Sequence, residues 1–266
     1  MNKFFIFFIG CFLLSHESIA QNKLTSAMLS NLDSRCIGSA RMSGRITSID
    51  GINKTPRVIY VGTAGGGVWK TTDAGANFSA IFDKHCQSIG ALAIDQQHPD
   101  TIWVGTGESN MRNSVSVGNG IYKSTDGGDN WVCMGLEKTE HISKVLVHPK
   151  NPNTIFVAAP GALWSDSPDR GLYKTTDGGK TWEKSLYINE KTGCSEIMMN
   201  PNNSDELYAC TWEFRRKPFS FNSGGEGSAI YKSTDGGKTW NKLTKGLPTG
   251  NFGRVALAIA PTNPKN

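Results

Sequence analysis

The sequence predicts an all-β fold, a β-propeller of four-stranded antiparallel blades that forms an incomplete ring in this chain. Three observations support this prediction. A nine-residue word recurs four times, a second phrase recurs about twenty residues before it, and 30 glycines separate short β-branched and aromatic runs. Short strands between regularly spaced turns are typical of all-β folds, and repeats of this length indicate stacked units.

The nine-residue word contains the turn between the last two strands of each unit. Its copies are KTTDAGANF (70–78), KSTDGGDNW (123–131), KTTDGGKTW (174–182) and KSTDGGKTW (232–240), and their aspartates are 53, 51 and 58 residues apart. We call these turns the Asp turns. We expect the carboxylate to accept backbone N–H groups, the glycine to adopt a positive φ and the aromatic residue to begin the next strand. The predicted structural residues are Asp73, Gly75, Asp126, Gly128, Trp131, Asp177, Gly179, Trp182, Asp235, Gly237 and Trp240.

The second phrase supplies the first two strands of each unit. It occupies residues 92–106, 145–159 and 197–211, with a looser copy at 46–63 and the start of another at 255–266. Each unit therefore reads strand A, a Pro/Asn turn, strand B, a variable loop, strand C, an Asp turn and strand D. Because a propeller has roughly four to eight blades, four blades and one strand of a fifth predict that the ring continues beyond residue 266.

The first twenty residues predict a secretory signal peptide. Lys3 provides the positive charge, residues 4–14 form an apolar run too short to span a bilayer, and small residues precede a cleavage site near Ala20. We therefore expect an exported protein (periplasmic, cell-surface or secreted) whose propeller occupies residues 21–266. A lipoprotein anchored at Cys11 is the alternative. No other segment is apolar enough to cross a membrane.

Composition and missing motifs exclude several classes of function. The net charge of +5 is spread along the chain without a Lys/Arg block, so no nucleic-acid partner is predicted. The six cysteines form no CxxC pair, and GxSxG, HExxH and P-loop motifs do not occur. The glycine-rich turns lack the alternating acidic ligands of an EF-hand. We therefore predict no metal and no cofactor. The oligomeric state is left open.

The blade topology separates two faces. The A–B turns and the Asp turns share one, the turn face, whereas the B–C loops and the D–A connections share the other, the loop face. Turn-face segments are short and alike, and loop-face segments vary in length and content. Because variable loops on a rigid scaffold commonly carry binding sites, we expect the ligand on the loop face.

The loop-face candidates combine aromatic rings, which cover apolar sugar faces, with polar groups that bind hydroxyls or a peptide carboxylate. The predicted ligand-binding residues are Arg45, Glu108, Arg112, Asn113, Trp164, Trp212, Arg215 and Arg216. The candidates for catalysis are Glu108, Glu140 and His141, since glycoside hydrolysis needs two facing carboxylates. The alternatives are that the two tryptophans brace long loops, that Arg215 and Arg216 are solvated charges and that His141 makes an ordinary polar contact.

The words KTTDGGKTW and KSTDGGKTW resemble the Asp-box, or BNR repeat, of sialidases, sortilin-type receptor ectodomains and xyloglucanase-type glycosidases. With SGRITSID (43–50) and GTGESNMRNS (105–114), the chain is most similar to exported bacterial propellers of the sortilin/xyloglucanase-like superfamily. The resemblance implies a propeller but not one activity. Xyloglucanase-type enzymes carry an Asp where this chain has Ala64, and the FRIP-like word of sialidases is missing around Arg45.

These observations favour an interaction module that binds a glycan or a peptide on its loop face. The alternative is a glycoside hydrolase, xyloglucanase-like or sialidase-like, that uses carboxylates of this face. A third hypothesis is a structural segment whose functional site lies further along the chain.

Overall fold

The computed structural model describes residues 45–260, so the predicted signal peptide and Cys36 lie outside the described residues. Blade 1 contains β1 (Ile46–Gly51), β2 (Ile59–Thr63), β3 (Val68–Thr71) and β4 (Ser79–Ala80). Blade 2 contains β5 (Ile89–Ile94), β6 (Ile102–Thr106), β7 (Ile121–Ser124) and β8 (Val132–Cys133). Blade 3 contains β9 (Lys144–Val147), β10 (Ile155–Ala159), β11 (Gly171–Thr175) and β12 (Glu183–Leu186). Blade 4 contains β13 (Thr192–Asn200), β14 (Asn203–Lys217), β15 (Ser220–Ser223), β16 (Ala229–Ser233) and β17 (Asn241–Lys242).

Each blade is an antiparallel sheet whose strands are hydrogen-bonded in chain order, which confirms the predicted fold class. In blade 4 the B strand, β14, is much longer than the others and extends into a hairpin with β15. A short 3-10 helix, Glu137–Thr139, lies between blades 2 and 3. In the part of the chain described, no helix is long and apolar enough to cross a membrane.

Residues 255–260 form no hydrogen-bonded strand with another described segment. Val255, Leu257 and Ile259 are nevertheless half-buried while the residues between them are exposed, which is the alternation of a strand with one covered face. The fifth blade remains a prediction.

Neighbouring blades pack face to face, with their A strands adjacent to one another. Each of three apolar clusters is shared by two consecutive blades. The fit is close because a small residue on one blade faces a large one on the next. A Cβ atom added to Gly105 in blade 2 would lie 2.3 Å from Cγ2 of Ile142 in blade 3. A blade thus buries its faces only by stacking.

The Asp turns share one set of hydrogen bonds in all four blades. In the third copy, the Thr175 hydroxyl donates to Oδ1 of Asp177 at 2.7 Å and accepts the N–H of Gly179 at 3.1 Å. Asp177 Oδ1 also accepts the N–H of Thr181 at 3.0 Å, and Gly179 has φ +92°. The equivalent contacts recur around Asp73, Asp126 and Asp235. These hydrogen bonds to the charged form hold the pKa of Asp73 and of Asp126 at about 2.

The closing tryptophans tie the Asp turns of blades 2, 3 and 4 to the preceding blade. The indole N–H of Trp131 donates to the carbonyl of Ile81 at 2.9 Å, and that of Trp182 donates to the carbonyl of Met134 at 2.7 Å. Trp240 donates to the Ser185 hydroxyl at 3.0 Å. Within a blade, the Asp turn also contacts the A–B turn, as in the 3.0 Å bond from Gly178 N–H to the Asn153 carbonyl. The A–B turns and Asp turns therefore lie on one face.

Candidate functional site

The loop face is formed by the B–C loops and the D–A connections, which hydrogen-bond to each other. The N–H of Gly107, in the blade 2 loop, donates to the Ser88 carbonyl at 2.7 Å. The N–H of Gly118, in the same loop, donates to the Glu140 carbonyl at 2.6 Å. All ten predicted ligand-binding and catalytic positions lie on this side, in its loops, at strand starts or in the extension of β14, but their surroundings differ.

Arg45 and Glu108 form a two-pronged ion pair between blades 1 and 2. Nε and Nη2 of Arg45 donate to the two carboxylate oxygens of Glu108 at 3.2 and 2.6 Å. The Glu108 side chain is only 1% exposed, whereas that of Arg45 is 42% exposed. Both oxygens of this carboxylate are therefore engaged, and its charge is balanced by Arg45. The pair is a link between blades, with the outer side of the guanidinium open to solvent.

His141 lies fully buried at the start of the third blade, and neither ring nitrogen has a hydrogen-bond partner. Burial lowers the pKa of His141 to about 4; the nearby backbone carbonyl of Glu108 opposes this shift, and the Arg170 guanidinium adds a smaller lowering. Arg170 itself is buried and donates to the carbonyls of Pro160 and Ala162 at 2.8 and 2.5 Å. The imidazole is therefore neutral at pH 7 and enclosed by protein atoms.

Glu140 occupies a strained backbone conformation next to His141. Its φ of +58° lies in the left-handed region that favours glycine. Its carbonyl accepts the short bond from Gly118 that closes the blade 2 loop. The residue as a whole is half-buried. Glu140 therefore differs from Glu108, the other predicted carboxylate, in having no ion-pair partner within residues 45–260.

Trp212 is a core residue of the loop face. It is 3% exposed, its ring stacks on that of Phe214 with centroids 4.3 Å apart, and its N–H donates to the Ser223 hydroxyl at 3.1 Å. Met111 of the blade 2 loop and Leu163 of the blade 3 loop complete this apolar cluster. Trp212 thus braces three loops and offers no open ring surface.

Trp164 differs in being exposed while its backbone is held in place. The side chain is 47% exposed. Its carbonyl accepts Nη1 of Arg215 at 3.0 Å, and the same guanidinium forms an ion pair with Asp166. The neighbouring Leu163 carbonyl accepts the N–H of Arg216 at 3.3 Å. The blade 3 loop and the blade 4 hairpin therefore hold one indole ring facing solvent beside a charged pair.

The two adjacent arginines of blade 4 point to opposite sides because side chains alternate along a strand. Arg216 lies over the ring of Phe221 at 4.5 Å, on the side of the Trp212 cluster. Arg215, with Glu213 and Lys217, lines a pocket of about 270 Å³ on the other side. Arg112 and Asn113, in the blade 2 loop, are exposed.

A larger cavity of about 600 Å³ lies along the A strands of the four blades. Asp50, Lys144 and Glu196 place charges in it. Arg254 lines it as well, and its Nη1 donates to the Ser109 carbonyl at 2.9 Å and to Asn110 Oδ1 at 3.0 Å. The start of the predicted fifth blade is thereby tied to the blade 2 loop.

Several residues of this face were not among the sequence-based candidates. Arg170, Lys191, Lys217 and Asn222 lie among the candidates or line the pocket beside Arg215. The period-two alternation of residues 213–217 was a signal that could have separated Arg215 and Lys217 from Arg216. Within residues 45–260, no group of three or more His, Cys, Asp or Glu could hold a metal ion, and Cys86, Cys133, Cys194 and Cys210 are free thiols.

Comparison with known proteins finds xyloglucanases on the one hand and a sortilin family model on the other. A xyloglucanase of Paenibacillus sp is 27% identical over 222 residues, which cover 73% of this chain and 20% of that protein. Xyloglucanase Xgh74A of Acetivibrio thermocellus is 26% identical over 212 residues, covering 70% and 24% of the two chains. The crystal structure of the Niastella koreensis GH74 enzyme superposes with a TM-score of 0.61 at 20% identity, covering 82% of this chain and 32% of that one, a likeness of fold.

The chain thus spans only about a fifth to a quarter of the length of these xyloglucanases. The family model described as sortilin, neurotensin receptor 3, matches residues 119–260, which include the third and fourth blades and most of the loop-face candidates. Because that match covers more than half of the residues of this chain, the chain belongs to the Sortilin-Vps10 family.

Proposed function

We propose that this protein is an exported glycan-binding module, with the exposed ring of Trp164 as the contact for a sugar. The observation that carries the proposal is the combination of a 47% exposed indole with a backbone held by Arg215. A fixed aromatic ring covers the apolar face of a sugar at little cost in conformational entropy. The polar groups of Asp166 and Arg215 lie beside it for the hydroxyls.

The relatives make xyloglucan the first ligand to test, because the proteins similar to most of this chain are named xyloglucanases. A peptide ligand is the competing possibility for the same surface. We favour a sugar, since peptides are commonly recognised through main-chain hydrogen bonds or a groove, whereas this patch is one exposed ring with charged neighbours.

The test is a binding titration of the 266-residue protein with xyloglucan heptasaccharide by isothermal calorimetry. We expect Trp164→Ala to weaken binding by about tenfold, the loss of one stacked ring. The matched control is Phe78→Ala, because Phe78 is exposed to a similar extent, 45%, but belongs to an Asp turn on the opposite face. Equal affinities of the parent and the Trp164→Ala protein would refute the role of Trp164. Equal losses of affinity in Trp164→Ala and Phe78→Ala would refute the location of the binding site on the loop face.

A glycoside hydrolase is the second candidate, favoured by the xyloglucanase relatives alone. Both oxygens of Glu108 accept hydrogen bonds from Arg45, whereas hydrolysis needs a free acid and a free base or nucleophile together. We therefore expect no release of reducing ends from xyloglucan. Product that disappears in Glu140→Gln, a variant at a half-buried position, would establish the hydrolase and overturn this expectation.

A further inference from the structure

The pocket of about 270 Å³ beside Arg215 has the composition of a site for a negatively charged group. It opens on the loop face between the blade 4 hairpin and the connection that enters β13. Its lining residues are Lys191, Glu213, Phe214, Arg215, Lys217, Asn222 and Gly224. The volume lies just below the range of about 300 to 1,000 Å³ that is usual for drug-sized ligands, so the pocket suits a single sugar residue rather than a larger molecule.

One positive charge of the pocket already has a partner, because Arg215 is paired with Asp166. Glu213 accepts the N–H of Gly227 on Oε2 at 2.9 Å and contributes the one negative charge of the lining. The lining therefore carries more positive than negative charge.

Lys191 and Lys217 are the two remaining positive charges of the pocket. Both are exposed, and neither forms an ion pair with another residue of the described range 45–260. They approach the pocket from different elements, Lys191 from the D–A connection and Lys217 from the end of β14. Two positively charged residues that line one small pocket repel each other, and an anion bound between them replaces that repulsion by attraction.

Asn222 adds a neutral polar group to the same wall. It lies directly across from Arg215 in the β14–β15 pairing, so its side chain stands on the pocket side of the hairpin. An amide supplies both a donor and an acceptor, which suits a sugar hydroxyl next to a charged group.

We propose that this pocket binds an acidic sugar residue, with its negatively charged group between Lys191 and Lys217. The inference rests on the proposed glycan-binding function, because Arg215 joins the pocket to the Trp164 patch. The bound glycan then contacts Trp164 with one residue and places a uronate in the pocket with another. A neutral glycan uses only the first contact.

The experiment compares two probes, trigalacturonate and the neutral xyloglucan heptasaccharide, by calorimetry on the full chain. The pocket variant is Lys191→Gln/Lys217→Gln. The control variant is Lys54→Gln/Lys150→Gln, which removes the same charge from two exposed lysines of the A–B turns on the opposite face. We expect the pocket variant to bind trigalacturonate about tenfold more weakly, the combined effect of two exposed ion pairs, and the heptasaccharide as before. The control variant should bind both like the parent.

The outcomes separate this inference from the proposed function. Suppose that the heptasaccharide binds through Trp164, that trigalacturonate binds no more tightly than the heptasaccharide, and that the pocket variant binds trigalacturonate like the parent. The pocket inference is then wrong and the proposed function stands. If trigalacturonate depends on the two lysines while Trp164→Ala changes nothing, the pocket stands and the role of Trp164 fails. Binding of neither probe overturns both. A sulfated disaccharide that binds like trigalacturonate would show that the site accepts any anionic sugar group.

Discussion

The two faces of this propeller are built on opposite principles. On the turn face, four Asp turns repeat the same hydrogen bonds at nearly the same distances, from Thr71 or its equivalents to the aspartate and onward to the backbone. On the loop face no two blades match. One blade holds an ion pair with Arg45, another a buried Arg170, and a third a fifteen-residue strand with a hairpin.

This difference shows why a repeated residue indicates scaffolding and a unique one indicates a site. An identical hydrogen-bond set in each blade stabilises each blade equally and points in four directions, so it cannot converge on one ligand. The loop face has both kinds of residue. Trp212 and Glu108 are buried and stabilise the fold, whereas Trp164 and Lys217 remain accessible. A position on the loop face therefore does not by itself indicate function.

The largest expected effect tests the turn face. Trp182→Ala removes an indole that is packed edge to face on Trp103 and that donates to the Met134 carbonyl. We expect a loss of about 4 kcal/mol in the free energy of unfolding, as for other tryptophan truncations at packed positions. Phe78→Ala, at the equivalent position of blade 1, should cost less than about 1 kcal/mol because that ring is exposed. Urea unfolding measures both. Equal losses would show that the closing aromatic does not act between blades.

The next effect tests whether the loop face also contains structural charges. Arg45→Met leaves the buried Glu108 carboxylate without its counter-charge. We expect a loss of about 3 kcal/mol in the free energy of unfolding, since breaking a buried pair from one side is strongly destabilising. The double variant Arg45→Met/Glu108→Met should recover part of that loss. If Arg45→Met unfolds like the parent but alters glycan affinity, Arg45 belongs to the site and not to the scaffold.

The sequence was sufficient to predict the blades but not the surroundings of the residues on the loop face. An Asp turn closes through contacts at most four residues apart, so the spacing of Thr175, Asp177 and Gly179 determines its geometry. The surroundings of Trp212 depend on Met111 and Leu163, which come from two other blades. The partner of Glu108 lies 63 residues away. Nothing local distinguishes Trp164 from Trp212, because exposure is decided by which neighbouring loop covers the ring.

The smallest effect concerns His141 and is visible only as a function of pH. Its pKa is about 4 in the folded protein and about 6.5 in an unfolded chain, so between these values the unfolded state binds more protons. The stability that depends on a neutral His141 is therefore fully present above about pH 6.5 and is lost as the pH falls toward 4. By pH 5 the loss should reach about 2 kcal/mol relative to pH 7.5.

The measurement is urea unfolding at intervals from pH 7.5 to pH 5, with His141→Leu as the comparison. The variant retains an apolar side chain in the buried position but cannot take up a proton, so its stability should change less over this range. If parent and variant show the same dependence, His141 is hydrated or charged in the fold. The interior of the loop face would then be wetter than its burial indicates, and this imidazole would be open to a substrate.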